Sequence, residues 1–184
     1  MANSKLQNEF KRAQHFVNPE YVTITPLSEV DAKQKGYGMI LQVDVRGIRS
    51  RGVFDLTKEP FAVGSYRFFV NIPENAFDYD APSPVTVKFD GVMPYNLHTF
   101  SSGFFCYGAK LPVPPLHVII RKTLLGCVFA PELMNVKDRA NSNVVAWTEA
   151  HKHEFPYFPP ELLFNGAVEP AQATATFRPT VRRP

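Results

Sequence analysis

The chain has 184 residues, 45% of them apolar and 20% charged, with a formal net charge of +3. That is the balance of one globular domain able to bury a core without disulfide staples. So small a positive charge, with no basic run interleaved with aromatics, leaves no footprint for nucleic acid. No apolar run reaches the ~18–20 residues needed to span a bilayer, so no membrane partner is expected. The opening "MANSKLQNEF" lacks the apolar centre of a signal peptide, which gives a cytoplasmic expectation.

"SKLQNEFKRAQHFV" reads as a first helix. Leu6, Phe10, Ala13 and Val17 recur at helical intervals on one face, and Ser4 with Gln7 has the form of a capping box. Lys5, Lys11 and Arg12 lie off that stripe, either as a solvated face or as a docking surface for an acidic partner. From Tyr21 to Phe89 the period becomes two. "YVTITPL", "GMILQVDV", "RGVFDL", "SYRFFVNIP" and "PVTVKF" predict four or five short strands in an antiparallel meander. A long irregular stretch follows from Asp90 to Pro115. Then "LHVIIRKTLLGCVF" predicts a helix apolar nearly all round, and "NSNVVAWTEAHKHEF" a last helix with Asn141 or Ser142 as N-cap. The expected fold class is α+β, with helices segregated from the sheet. A domain over 1–155 would be followed by a Pro-rich, partly flexible extension over 156–184, in which "ELLF" packs as a short turn.

Two cysteines 21 positions apart give no disulfide framework and no paired metal spacing. His151 and His153 stand two apart, pointing about 200° from one another on a helix, so no metal is expected. No nucleotide-binding loop is present and no cofactor is expected. Cys127 falls inside the apolar helix, where a free cysteine behaves as a small core residue. Cys106 falls in "NLHTFSSGFFCYGAK", on a long loop between Gly103 and a stiff run of prolines, and loops of that length are often functional.

This stretch resembles the active-site region of the ubiquitin-conjugating enzymes. Those carry a His-Pro-Asn triplet, then a glycine, then the nucleophilic cysteine three residues further on. Gly103 and Cys106 keep the Gly-x-x-Cys spacing, and Asn96, Leu97 and His98 fill the triplet. His98 stands where the family has its asparagine. Tyr66, Pro73, Phe77, Pro82 and Phe89 resemble the family's strand, proline turn and next strand. "LHVIIRKTLLGCVFAPE" resembles the helix after the active site, and "DRANSNVVAW" the acidic loop that follows. The likeness covers about residues 4 to 155. All three triplet residues are altered, the link to the central helix is shorter, and the tail has no counterpart. Such divergence resembles bacterial relatives in ubiquitin-like conjugation and antiviral defence.

The resemblance implies a four-stranded meander between an N-terminal helix and two C-terminal helices. It also implies an activity. Cys106 would take the C-terminal acyl group of a ubiquitin-like protein from an activating enzyme and pass it to a lysine of a target protein. His98 would donate to the oxyanion or act as base, or else brace the loop by a hydrogen bond to backbone. Asp138 would orient the incoming lysine, or else cap the last helix. Tyr107 would line the groove beside Cys106. Two other functions compete: a non-catalytic module on the same fold that binds ubiquitin-like proteins, and an unrelated cysteine hydrolase.

Overall fold

The computed structural model describes residues 4–78, 83–108, 112–135, 137, 139 and 141–166. The period-four apolar spacing of the opening segment forms α1 (Ser4–Phe16), already helical at its first described residue. Leu6, Ala13 and Val17 are buried against the core. Alternating residues in the middle of the chain then form β1 (Val22–Pro26), β2 (Met39–Val53), β3 (Phe61–Ile72) and β4 (Thr86–Phe89), with a short β5 (Met93–Pro94). The sheet order is β1-β2-β3-β4, antiparallel throughout, and β5 pairs with the far end of β2. The register aligns Ile24, Val43, Phe68 and Phe89 across four strands, and Leu41, Val70 and Val87 across three. All seven are buried, so one face of the sheet is core. The architecture is α+β, as expected.

Two of the expected strands, "GMILQVDV" and "RGVFDL", are a single strand, β2. Between the pairs Arg46↔Ser65 and Ser50↔Val63, β2 advances four residues while β3 advances two. Gly47, at φ +69°, absorbs the surplus in a bulge. The residues Arg46 to Ser50 between the two expected strands bend the strand without ending it.

A short helix that periodicity misses, α2 (Glu29–Gln34), follows β1. Ser28 caps it, accepting from the Asp31 amide at 3.1 Å while its hydroxyl donates to the Asp31 carboxylate at 2.6 Å. Ser28 and Asp31 hold the positions of a capping box, with the carboxylate taking the Ser28 hydroxyl in place of its backbone amide.

The apolar segment forms α3 (Leu116–Cys127), in which eight of twelve residues are buried and none is exposed. Its N-cap is Pro115, which makes no side-chain capping bond. The missing acceptor comes from α1: the Leu116 amide donates to the Glu9 carboxylate at 2.7 Å. A carboxylate there satisfies an orphan amide and faces the positive end of the helix dipole. Glu9→Ala is therefore expected to cost about 1–2 kcal/mol, read as a lower denaturation midpoint. Glu9→Gln, which keeps the acceptor, should lose less.

The last helix, α4 (Val145–His151), is shorter than its segment. It begins after a 3-10 turn, and its N-cap is Val144, not Asn141 or Ser142, with no side-chain capping bond. Its expected inner face holds: Val144 and Thr148 are buried, and Trp147 and His151 are half-buried. "ELLF" packs as expected, in a 3-10 turn (Pro160–Leu163) that buries Leu163 and Phe164. Asn165 donates to the Val17 carbonyl at 2.7 Å, so the chain through residue 166 is built into the body that begins with α1.

Candidate active site around Cys106

Between β5 and α3, residues 98–106 form a small hairpin laid along the outer edge of β4. Phe104 bridges to Lys88, the Phe105 amide donates to the Val87 carbonyl and the Phe89 amide to the Gly103 carbonyl, both at 2.9 Å. At its tip, Gly103 takes φ +81°, a left-handed angle that glycine adopts without strain, and its amide closes onto the Phe100 carbonyl. Thr99 bridges to Phe105 across the hairpin, which sets His98 opposite Cys106. The Cys106 amide donates to the His98 carbonyl at 2.8 Å. The backbones of the two residues that the sequence pairs as nucleophile and donor are thus opposed. Directly opposed residues on such a ladder have Cβ atoms about 4.5–5.5 Å apart.

Alternation decides where the sulfur goes. In an extended segment successive side chains face opposite ways. Phe105 and Tyr107 are buried, at 4% and 5% exposure, so Cys106 between them is turned outward and is half-buried. The other thiol behaves oppositely. Cys127 is fully enclosed, and burial pushes its acidity far to the alkaline side.

Three supports beneath the hairpin carry it. Asn96, with no exposure, is the hub. Its amide nitrogen donates to the Gly126 carbonyl on α3 at 2.7 Å, and its oxygen accepts from the His98 amide at 2.9 Å and the Thr99 hydroxyl at 3.1 Å. Asn141 clamps the same loop from the far side. Its backbone amide reaches the Leu97 carbonyl at 2.9 Å, and its side chain reaches the Thr99 carbonyl at 3.1 Å. Tyr107 is the third support. It is a core residue and does not line a groove, contrary to the sequence expectation. Its hydroxyl donates to the Val85 carbonyl at 2.6 Å, and its own carbonyl accepts from Lys122 at 2.9 Å. Burial first, and then the neighbouring Cys106 sulfur, raise the phenol to about 12, so it remains a donor at neutral pH.

His98 is 7% exposed, with its ring tilted 47° to that of Phe105 at 6.1 Å between centroids. Asp138 lies outside the described residues. Lys5, Lys11 and Arg12 are on α1 and not in this loop. Lys11 and Arg12 are exposed, whereas the Lys5 ammonium is engaged with the Phe77 carbonyl. Asn141, read in sequence as the cap of the last helix, precedes the 3-10 turn that leads into α4 and donates to the loop. Among the described residues no group of three or more His, Cys, Asp and Glu side chains could hold a metal ion, and no helix is long and apolar enough to cross a membrane.

No protein-family model matches the chain, and no curated protein matches it in sequence.

Proposed function

We propose that the chain is a conjugating enzyme of the ubiquitin-conjugating type, carrying a ubiquitin-like protein as a thioester on Cys106. The observation that carries this reading is the presentation of one half-buried cysteine between two buried aromatic anchors, on a braced hairpin at the sheet edge, opposite His98. The order of helix α1, meander β1–β4, cysteine hairpin and covered helix α3 supports it, being the order of that family's fold.

In the first step the Cys106 thiolate attacks the carbonyl carbon of the thioester on an activating enzyme. A new S–C bond forms, and the activating enzyme's sulfur leaves as thiolate. One thioester replaces another, so positioning contributes more than driving force. ATP is consumed on that partner. In the second step a target lysine amine attacks the same carbon, an oxyanion forms, and the Cys106 thiolate is expelled as the amide is made. The amine's surplus proton goes to a base. His98, opposite the nucleophile, is the residue assigned to the oxyanion or to that proton. Lys11 and Arg12 are the α1 cations open to the activating partner.

The test is a charging assay with activating enzyme, ATP and modifier on a non-reducing gel, followed by discharge onto free lysine. A thiol-sensitive adduct on the wild-type chain is expected. His98→Ala should slow discharge about 10²-fold, the scale of losing one oxyanion donor, while charging changes much less. Equal loss of both steps would leave His98 with a structural role only. No adduct at all would overturn the carrier reading in favour of a binding module.

A further inference from the structure

A second feature lies away from Cys106, where the bent half of β2 meets the segment after α4. An open groove of about 620 Å³ runs between them. Arg49 and Arg51 stand two apart on β2, separated by Ser50, whose side chain is buried and bonded to the Tyr66 hydroxyl. Alternation therefore turns both guanidinium groups to the side away from Ser50. The register sets Arg51 opposite Ala62, and Gly64 lies two residues further along β3. These two small residues give the floor almost no side chain. Pro156 and Tyr157 form the opposite wall, with the Arg51 guanidinium 5.8 Å from the centre of the Tyr157 ring.

Charge is unbalanced in this groove. Among the described residues neither Arg49 nor Arg51 forms an ion pair. The one acidic side chain on the wall, Glu154, accepts from the Tyr157 hydroxyl at 3.2 Å. Two cations facing one anion favour an anionic guest. Their spacing selects its shape. Residues two apart on a strand are separated by about 6.6–6.8 Å, and the same repeat holds in any extended peptide. Acidic side chains at alternating positions of such a peptide match the two arginines one to one, and guanidinium is the planar fork that takes a carboxylate through two hydrogen bonds. A single compact anion reaches that arrangement less completely.

We propose that this groove docks an extended acidic segment of a partner protein, with carboxylates at alternating positions read by Arg49 and Arg51. The site is separate from the cysteine hairpin and does not depend on the thioester reading.

Fluorescence anisotropy with the full chain and a labelled ten-residue peptide alternating Glu and Ser tests it. Saturable binding is expected, about tenfold weaker for the peptide with Gln in place of Glu. Arg49→Gln with Arg51→Gln should weaken binding about tenfold and leave the thermal midpoint unchanged. Gly64→Glu should do the same by supplying an internal carboxylate, since a side chain there meets only the Ile48 carbonyl, at 3.6 Å. Lys33→Gln with Lys35→Gln, two exposed cations at the end of α2, should leave peptide binding unchanged. Equal weakening by that pair would show attraction by net charge alone and overturn the proposal. So would binding that survives loss of both groove arginines, or inorganic phosphate binding at those arginines while the peptide does not bind.

Discussion

Cys106→Ala is expected to abolish the thiol-sensitive adduct completely, with less than 1 kcal/mol change in stability, whereas Cys127→Ala should keep the adduct and lower stability by roughly 1 kcal/mol. The contrast follows from two environments in one chain. Cys106 is turned out of an extended segment whose neighbours on both sides are buried, so truncating it opens no core cavity. Cys127 is enclosed at the end of α3, where its thiolate would have to form in an apolar interior. A thiol held neutral and without access for a protein's C-terminus cannot carry an acyl group. Cys106→Ser should yield, if slowly, an adduct that survives thiol treatment, because an oxyester replaces the thioester. Gels with and without dithiothreitol, beside chemical denaturation of each variant, measure all of this. An adduct that persists in Cys106→Ala and vanishes in Cys127→Ala would remove the active-site assignment.

Which cysteine faces out is legible in the sequence, because it depends on local pattern. Cys127 lies in a run apolar on every side. Cys106 lies among turn-forming residues, and Gly103 does adopt the left-handed angle that such a loop needs. The α1 face and the paired strands were legible for the same reason, since their periods are written in consecutive residues. What escaped depends on partners distant in the chain. Nothing near Glu9 says that its carboxylate caps a helix more than a hundred residues later. Asn141 has the composition of a helix cap, and nothing near it says that its two N–H donors reach the Leu97 and Thr99 carbonyls. Tyr107 looks like a groove residue until its hydroxyl is found on the Val85 carbonyl. The β2 bulge hid because its surplus residues fall in a run of Arg and Gly, which a period-two reading takes as the separator between two strands. Ser28 and Asp31, by contrast, carried a readable cap for α2. The signal was present, and six residues were too few for a period to draw attention to it.

Gly126→Ala is expected to destabilise the fold by roughly 1–3 kcal/mol and to impair charging of the molecules that remain folded. In an exposed helix the same change would stabilise by about 1 kcal/mol, through lower backbone entropy in the unfolded chain. Here space decides against it. A β-carbon on Gly126 would lie 2.6 and 2.7 Å from two ring carbons of Phe105 and 3.2 Å from the Asn96 amide nitrogen. The ring has little room to retreat. Phe105 is 4% exposed, its backbone is held on the Val87 carbonyl, and its ring packs edge-on to Phe89 at 6.3 Å. If Asn96 moves instead, it loses its bond to the Gly126 carbonyl, and a buried amide left without a partner costs about 1–3 kcal/mol. Either displacement acts on a support of the hairpin that presents Cys106, so stability and charging should fall together. Phe105→Leu removes the clashing ring atoms. Combined with Gly126→Ala it should recover stability relative to the sum of the two single variants, a coupling that a double-mutant cycle by chemical denaturation measures directly. Additive losses, or a Gly126→Ala variant more stable than the parent and charged at the parent rate, would mean that α3 does not press on the loop and that Cys106 owes its position to the β4 edge alone.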